Sequence, residues 1–407
     1  MIHSLIKGSE MAKKTLSDID IKGKTVLMRV DFNVPIIEGI ITDDNRVVQA
    51  LPSIQYIVDQ GAKLVLTSHL GRPKGHPNPE FSLRLVAQHL ASLMSVPVHF
   101  ANDCIGEAAE KAISIAKEGE IVVLENVRFH IGETENNPRF AQQLAVHADI
   151  FVNDAFGSSH RAHASVSGVT AYMEESVSGF LLEKEITYLS DSVNDPKRPF
   201  VAILGGAKVS DKISVIQRLL TKVDTIIIGG GMAYTFLATK GYSVGNSLLE
   251  KDKIAMAKSL MDQALEAGVN LMLPIDLVIA DDFSNDANRK VVASDRILDN
   301  WESLDIGPET ISLFGAAITQ ANTVLWNGPM GVFEMPNFAL GTQSVAKALV
   351  KATERGATTI VGGGDSASAI KNVGLSDQVS HVSTGGGASL EYLEGKELPG
   401  LSHLSDK

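Results

Sequence analysis

The sequence predicts an α/β protein with two doubly wound, Rossmann-like domains, each built around a parallel central sheet. Three observations lead to this prediction. The chain has 407 residues, whereas a single hydrophobic core rarely exceeds about 250–300 residues. Short runs of valine, isoleucine and leucine alternate with helical patterns along its length. Turn residues follow these runs, as they do where parallel strands end and helices begin.

Ten apolar runs have the length and β-branched content of strands that are buried on both faces. The first half of the chain contains four of them, at residues 25–30, 63–67, 121–124 and 149–152. The second half contains six, at residues 201–204, 225–228, 270–273, 323–326, 358–361 and 381–383. Because helical segments separate them, the strands of each half are expected to run parallel.

Helical periodicity is clearest in residues 254–265, where apolar side chains recur every three or four positions and Gly268 follows as a C-cap. Segments 83–94 and 338–353 have the same pattern. Pro52 interrupts the apolar pattern after Arg46 and predicts a kink or an early turn there.

A predicted helix at residues 181–192 is followed by the break Asp-Pro-Lys-Arg-Pro at 195–199. We place the domain boundary there. Residues 1–180 are predicted to form an N-terminal domain, residues 181–199 an interdomain helix and hinge, and residues 200–400 a second domain.

Composition excludes several classes of function. A formal net charge of -12 argues against binding to nucleic acid or an anionic membrane. The single cysteine, Cys104, excludes an intrachain disulfide and favours a reducing, cytoplasmic location. No apolar run approaches the roughly 20 residues that span a bilayer, and the N-terminus lacks the apolar stretch of a secretory signal. Since Met11 is a plausible start, residues 1–10 are interpreted as an extension.

Ligands of open parallel sheets bind beyond the carboxyl ends of the strands, so the residues there indicate function. In the first half these positions carry arginine, histidine, aspartate and asparagine, which favours a small anionic ligand. Asp31 and Asp154 are interpreted as carboxylates that orient the arginines. His160 and His163 have the spacing of metal ligands, but Arg161 between them favours an anion contact or a structural hydrogen bond.

In the second half, glycine dominates the strand ends, at 205–206, 229–231, 328, 362–364 and 385–387. Glycine lets backbone N–H groups approach a phosphate at the start of a helix. Any one cluster could equally be a tight turn. Gly362, Gly364 and Ala367 also match a relaxed dinucleotide fingerprint, but Asp365 lies inside it, and a carboxylate opposes pyrophosphate unless a metal intervenes.

These motifs, in this order, resemble the phosphoglycerate kinase family from about residue 14 onward. The matching segments are RVDFNVP (29–35), SHLGRP (68–73), LENVRF (124–129), VNDAFGSSHRAHAS (152–165), LGGAKVSDKI (204–213), WNGPMGVFE (326–334), GGGDSASA (362–369) and STGGGASLE (383–391). The resemblance implies reversible phosphoryl transfer between 1,3-bisphosphoglycerate and ADP, giving 3-phosphoglycerate and ATP with Mg²⁺.

The resemblance also implies the site residues. The expected pocket for 3-phosphoglycerate or 1,3-bisphosphoglycerate consists of Asp31, Asn33, Arg46, His69, Leu70, Gly71, Arg72, Arg128 and Arg161. The expected contacts to ATP or ADP are Lys208, Lys212, Gly307, Glu334, Gly363, Gly364, Asp365 and Ser366, with Asp365 on Mg²⁺. Catalysis is expected to involve Arg46, Lys208, Gly363 and Gly386.

Further expectations follow from the same resemblance. Residues 401–407 are expected to pack back on the N-terminal domain, the two ligands to bind separate domains that close for transfer, and the protein to be a monomer. Two alternatives stay open at this point. A nicotinamide-dependent dehydrogenase would need a glycine fingerprint after the first strand. A catalytically silent binding protein would tolerate loss of Arg46, Lys208, Asp365 or Glu334.

Overall fold

The computed structural model describes residues 13–407, and the interpretation of residues 1–10 as an extension falls outside the described residues. The chain forms two compact units. The first unit ends at Ile186 and also contains Glu397–Lys407, and the second unit is Thr187–Lys396. Among the described residues, no helix is long and apolar enough to cross a membrane.

The first unit contains a six-stranded parallel sheet and a short hairpin. Its strands are β1 (Thr25–Arg29), β2 (Ile36–Ile37), β3 (Ile40–Ile41), β4 (Lys63–Thr67), β5 (Val98–Phe100), β6 (Ile121–Val123), β7 (Ile150–Asn153) and β8 (Glu175–Ser178). Its helices are α1 (Asn45–Asp59), α2 (Arg84–Leu93), α3 (Gly106–Ile115), α4 (Ile131–Thr134), α5 (Pro138–Ala145) and the start of α6 (Phe180–Asn194). The sheet order is β5-β6-β4-β1-β7-β8, so β1 lies between β4 and β7.

Strand β1 explains why helices cover both faces of this sheet. Val26 and Met28 belong to one buried apolar cluster, together with Ile54 of α1. Leu27 points to the opposite face and belongs to another cluster, which contains Leu144 of α5. Since side chains alternate along a strand, a continuous apolar run supplies both cores.

The second unit contains a parallel sheet of six strands and an antiparallel sheet of three. Its strands are β9 (Phe200–Leu204), β10 (Thr225–Ile228), β11 (Asn270–Met272), β12 (Asp276–Ala280), β13 (Arg289–Ala293), β14 (Glu302–Ile306), β15 (Thr323–Asn327), β16 (Thr358–Gly362) and β17 (His381–Val382). Its further helices are α7 (Ile213–Leu219), α8 (Met232–Thr239), α9 (Ile254–Glu266), α10 (Pro308–Gln320), α11 (Leu340–Glu354), α12 (Gly364–Asn372) and α13 (Gly387–Leu393).

The parallel sheet of the second unit has the order β11-β10-β9-β15-β16-β17. The chain builds outward from β9 on one side and then from β15 on the other. The direction of winding therefore changes between β9 and β15, which makes this pair the topological switch point of the sheet. This is where a doubly wound sheet binds its ligand.

The predicted fold class is confirmed, and all ten predicted parallel strands are present. Sequence reasoning missed β5, β8, the hairpin and the antiparallel sheet β13-β12-β14. Strand β5 has only three residues, all of them half-buried, and β8 has the polar sequence ESVS, so neither resembles a buried strand. The early turn at Pro52 is wrong, because α1 continues through Pro52 to Asp59 and buries Ile54 and Ile57.

The C-terminal segment returns to the first unit, as predicted, and carries the short helix α14 (Pro399–Ser402). Asn153 Nδ2 donates to the carbonyl oxygen of Gly400 at 2.7 Å, and the Gly400 amide donates to the carbonyl of Ser159 at 2.9 Å. Near the end of the chain, Lys13 Nζ donates to the carbonyl of Leu404 at 2.8 Å.

Candidate active site

Polar residues of the first unit collect at the carboxyl ends of β1, β4 and β6. These strands are neighbours in the sheet, with Arg29 opposite Thr67 and Leu66 opposite Val123. Asp31, His69 and Arg128 follow the three strands in turn. Because the strands are parallel and in register, their following loops meet at one edge.

Arg46 lies in the first turn of α1 and is held by Asp31. Its NH1 donates to Asp31 Oδ2 at 2.8 Å. The Asp31 side chain is 12% exposed and that of Arg46 is 34% exposed. Asp31 therefore orients the guanidinium while leaving part of it open to a ligand, as the interpretation of this carboxylate predicted.

His69 is buried beside several arginines. Its Nδ1 lies 3.0 Å from NH2 of Arg29 and 3.9 Å from Oδ1 of Asp31. Burial, and next the charge of Arg29, holds the pKa of His69 well below its ordinary value. The imidazole is therefore neutral at physiological pH, and it can donate a hydrogen bond to an anion without adding a further positive charge.

Arg128 and Asn33 both contact Gly71. NH1 of Arg128 donates to the Gly71 carbonyl at 2.7 Å, and the Gly71 amide donates to Asn33 Oδ1 at 2.9 Å. Gly71 has a φ of +60°, and a Cβ there would lie 2.4 Å from the ring of Phe81, so only glycine fits. Burial, and next the charge of Arg29, lowers the pKa of Arg128 to about 10, and the group stays charged at neutral pH.

The other predicted residues of this pocket differ in their accessibility. Arg72 and Arg161 are exposed. Leu70 is buried, and its carbonyl accepts a hydrogen bond from Asn126 Nδ2 at 2.7 Å. The charge of Arg161 contributes to the lowered pKa of Arg128, so these two guanidinium groups lie near each other.

Asp154 does not orient an arginine, which corrects the sequence-based interpretation. Its Oδ1 accepts a hydrogen bond from the Leu182 amide at 3.0 Å in the first turn of α6. A Cβ on Gly179 would lie 2.3 Å from the same oxygen. Burial raises the pKa of Asp154 to about 7. This carboxyl group therefore caps α6, the helix that runs from the first unit into the second.

In the second unit, glycine turns after neighbouring strands pack backbone against backbone. A Cβ on Gly205 would lie 2.1 Å from the Pro329 carbonyl oxygen. Gly230, with a φ of +66°, would place a Cβ 2.7 Å from the amide nitrogen of Gly206. Larger residues would push these turns apart, so the glycines hold the loops after β9, β10 and β15 in close contact.

A cavity of about 260 Å³ opens beside these turns. Among the predicted residues, Glu334 and Asp365 line it. Its remaining wall consists of Gly206, Ala207, Gly230, Gly231, Tyr234, Leu248, Phe283, Glu302, Ser303, Leu304, Pro329, Gly331 and Val332. Sequence reasoning missed the apolar part of this wall, because Tyr234, Phe283 and Val332 come from distant elements and look like ordinary core residues.

Lys212 is buried at the start of α7, and its Nζ donates to Oδ1 of Asn327. Burial lowers the pKa of Lys212 to about 8, although the charges of Asp211 and Asp365 oppose this shift. Asn327 Nδ2 is buried and has no hydrogen-bond partner among the described residues. Lys208, in contrast, is exposed. The two predicted lysines thus differ, since one is held in place and the other is accessible to solvent.

The loop after β16 leads into α12. Gly363 has a φ of +87°, and Gly364 and Asp365 are exposed in the first turn of the helix. Ser366 is buried, and its hydroxyl accepts a hydrogen bond from the Gly328 amide at 2.6 Å. Ser366 therefore ties this loop to the one after β15. Gly386, with a φ of +52°, precedes α13 in the same way.

Gly307 is the N-cap of α10 and is not among the residues that line the cavity. Its amide donates to the carbonyl of Asp276 at 2.9 Å, and a Cβ there would lie 2.3 Å from the Asp276 carboxylate. The same carboxylate accepts from the Thr310 amide at 2.7 Å. In this structure Gly307 makes room for the side chain that caps α10.

Groups that could bind a metal ion occur in each unit of the described chain. Asp365 presents an exposed carboxylate on the cavity wall. In the first unit, Asp103, Cys104 and His130 lie close together. There, however, His130 Nε2 is hydrogen-bonded to Asp103 Oδ1 at 2.7 Å, so these two groups already bind each other, and the Cys104 thiol is buried.

Comparison with known proteins identifies the relatives of this chain. A family model described as phosphoglycerate kinase matches residues 16–396. The phosphoglycerate kinase of Chloroherpeton thalassium is 55% identical over 97% of this chain and 100% of its own length. That of Chlorobium phaeobacteroides is 56% identical over the same shares. The structure of phosphoglycerate kinase from Coxiella burnetii matches with a TM-score of 0.86 and 43% identity over 96% of this chain and 98% of that one.

Proposed function

The chain belongs to the phosphoglycerate kinase family, and we propose that its two units divide the reaction of that family between them. The enzyme transfers a phosphoryl group reversibly between 1,3-bisphosphoglycerate and ADP, giving 3-phosphoglycerate and ATP, with Mg²⁺ bound to the nucleotide. This reaction belongs to glycolysis and gluconeogenesis.

The first unit binds the three-carbon acid. Arg46, His69 and Arg128 surround the carboxyl ends of β1, β4 and β6, and each is fixed by a neighbouring group. Guanidinium groups bind carboxylate and phosphate in a bidentate manner, and their orientation by Asp31 and Gly71 lowers the entropy lost on binding. Asn33, Leu70, Gly71, Arg72 and Arg161 complete the proposed pocket.

The second unit binds the nucleotide. The apolar side of the 260 Å³ cavity accepts the adenine ring, and Glu334 reaches the ribose. The phosphates lie toward the glycine turns, near Lys208, Lys212 and the amides that begin α12. Ser366 ties the loop after β16 to the loop after β15, whereas Gly307, expected from the resemblance to contact the nucleotide, does not line this cavity and makes room for the Asp276 side chain.

Asp365 is the residue we assign to Mg²⁺. Its exposed carboxylate lines the same cavity and supplies a hard oxygen ligand. Magnesium is usually bound through one or two carboxylates together with substrate phosphates, so the donor set fits. Bound there, the ion supplies positive charge against the phosphate oxygens.

The chemistry requires charge neutralisation more than proton transfer. When ATP forms, a β-phosphate oxygen of ADP attacks the phosphorus of the acyl phosphate, and the bond between that phosphorus and the carboxyl oxygen breaks, so that 3-phosphoglycerate leaves as a carboxylate. In the reverse direction the attacking carboxylate, with a pKa of about 4, is already ionised, so no general base is needed. Arg46, Lys208 and the backbone amides at Gly363 and Gly386 offset the charge that develops on the transferring group.

The two alternative functions are not supported. The family and the relatives are kinases, which removes the reason to propose a nicotinamide-dependent dehydrogenase. Each residue that a catalytically silent relative could lose, Arg46, Lys208, Asp365 and Glu334, is present. We further propose that the enzyme works as a monomer in the cytoplasm, where the single cysteine stays reduced.

The observation that supports this division most strongly is the contrast between the two sheets. Arginines held by hydrogen bonds lie at the carboxyl ends of the strands in the first unit. Glycine turns and lysines follow the strands of the parallel sheet in the second unit. The test is a coupled assay with 3-phosphoglycerate, ATP and Mg²⁺, in which glyceraldehyde-3-phosphate dehydrogenase consumes the product and oxidises NADH. Loss of NADH absorbance that requires all three reactants supports the proposal, and its absence contradicts it.

A further inference from the structure

A chain of buried hydrogen bonds lies beneath the arginine pocket of the first unit. Ser165 Oγ donates to Glu133 Oε1 at 2.7 Å and accepts from Arg29 Nε at 2.9 Å. NH2 of Arg29 in turn lies 3.0 Å from Nδ1 of His69. All four residues are buried, and Glu133 and Arg29 are no more than 1% exposed.

The chemistry of these groups fixes the direction of every hydrogen bond. A guanidinium only donates, so Ser165 Oγ must accept from Arg29 and must give its single proton to Glu133. For the same reason, Nδ1 of His69 must accept from Arg29 and carries no proton. A neutral His69 therefore carries its proton on Nε2.

The buried charges depend on each other. Arg29 loses its hydration in the core, and the negative charge of Glu133, and next that of Asp31, compensates this loss. Both oxygens of Glu133 are engaged, because the Ser165 amide donates to Oε2 at 2.8 Å. Arg29 is also anchored at its NH1, which donates to the Val30 carbonyl. The guanidinium is thus held from two sides with NH2 aimed at His69.

We propose that Glu133 and Ser165 are positioning residues for the substrate pocket, which act through Arg29 to hold His69 as the Nε2–H tautomer. The acidic substrate then meets a hydrogen-bond donor at His69. The part that concerns the substrate rests on the proposed function of His69, whereas the tautomer is a property of the free enzyme. The charged or titratable groups around His69 are Arg29, Asp31, Arg46, Arg128 and His163.

Ser165→Ala tests the proposal with little change in volume. Without the hydroxyl, Arg29 Nε loses its acceptor, and the guanidinium is free to turn toward Glu133 and away from His69. Asp31 Oδ1, 3.9 Å from Nδ1, then becomes the acceptor for that nitrogen and favours the Nδ1–H tautomer. Ser165→Thr keeps the hydroxyl, so His69 should stay in the Nε2–H tautomer in this variant. The matched control is Ser159→Ala, a buried serine that bonds to Ala155 and Asn153 instead.

The first readout is the ¹⁵N chemical shifts of the His69 ring nitrogens, which distinguish a protonated from an unprotonated nitrogen. They are measured on the ligand-free full chain labelled at its 11 histidines, with His69 assigned by comparison with His69→Gln. We expect Nδ1 to be unprotonated in the wild type, Ser165→Thr and Ser159→Ala, and largely protonated in Ser165→Ala. An unchanged spectrum for Ser165→Ala, with the protein folded, overturns the proposal.

The second readout is the KM for each substrate. For Ser165→Ala we expect the KM for 3-phosphoglycerate to rise roughly tenfold, as for loss of one hydrogen bond to a charged group, with an unchanged KM for ATP. If the tautomer changes but the KM for 3-phosphoglycerate does not, the positioning role is overturned and His69 is not a substrate ligand. If Ser165→Ala and Ser159→Ala raise both KM values alike, the role of Ser165 is only structural and the proposal fails.

Discussion

Arg46 donates a hydrogen bond from NH1 to Oδ2 of Asp31 at 2.8 Å, and this pair joins the first turn of α1 to the end of β1. The aspartate is the more buried partner. Its position fixes the guanidinium at the edge of the sheet without enclosing it. A cation held in this way can stabilise charge in the transition state without reorganising first.

Arg46→Ala should lower the turnover number on the order of 10²–10³-fold, because loss of one preorganised electrostatic group usually has an effect of this size. The free energy of unfolding should fall modestly, by roughly 1–3 kcal/mol, because the largely buried Asp31 carboxylate loses its charged hydrogen-bond partner. Steady-state kinetics with thermal unfolding measure both quantities. Arg139→Ala, at an exposed arginine of α5, is the control. Near-normal turnover of Arg46→Ala would remove Arg46 from the mechanism.

Arg128→Ala should weaken the binding of one substrate only. Its guanidinium is held by the Gly71 carbonyl, at the edge where the three-carbon acid is proposed to bind. Loss of its bonds to an anion should raise the KM for 3-phosphoglycerate roughly 10- to 100-fold and leave the KM for ATP unchanged. The two values are compared in the same coupled assay. A rise confined to ATP would mean that the two units have been assigned in reverse.

Lys212 predicts how nucleotide use depends on pH. Its pKa in the folded enzyme is lowered to about 8, so the ammonium is charged below this pH and loses its charge as the pH rises through it. The kcat/KM for ATP, which reports the free enzyme, should therefore fall above pH 8. Lys212→Arg keeps its charge at all these pH values, and its profile should lack the fall. A fall of equal size in both proteins would assign it to another group.

Gly230→Ala separates backbone strain from steric contact. Gly230 and Gly241 both have positive φ values, of +66° and +79°. A Cβ on Gly230 would meet backbone atoms of Gly206 at 2.7 Å, whereas one on Gly241 would meet no atom within 4 Å. In both variants the free energy of unfolding should fall by about 1–2 kcal/mol, because alanine is disfavoured in the left-handed conformation.

Gly230→Ala alone should also raise the KM for ATP on the order of tenfold or more, because the turns that line the cavity must move apart. Thermal unfolding measures the stability of each variant, and the coupled assay measures its KM for ATP. The assignment of the nucleotide to this cavity would be wrong if Gly230→Ala kept a wild-type KM for ATP.

The fold, and the grouping of the proposed site residues after the strands, could be predicted because their signals are local. Each parallel strand is a short apolar run, and the polar or glycine-rich residues after it stand next to it in the sequence. Asp31, Arg128 and Asp365 were found in this way. Asn327, the last residue of β15, is also followed by such a turn, but nothing in the sequence indicates that it bonds to Lys212.

The residues that were missed depend on contacts between distant segments. Arg29, Glu133 and Ser165 form one buried group, yet they belong to three separate parts of the chain. Asp154 was interpreted as an orienter of arginine, although it caps α6. No local sequence pattern indicates the apolar wall around Tyr234 and Phe283 either, because aromatic residues that line a cavity and those in a core cannot be distinguished in a sequence.

The most direct measurement is a crystal structure of the full chain with 3-phosphoglycerate, Mg²⁺ and a non-hydrolysable ATP analogue. We expect the acid on Arg46 and Arg128 at the ends of β1 and β6, and the nucleotide in the cavity beside Gly206 and Glu334. Density for both ligands on a single unit, or for the acid away from those arginines, would contradict the division of labour on which this account depends.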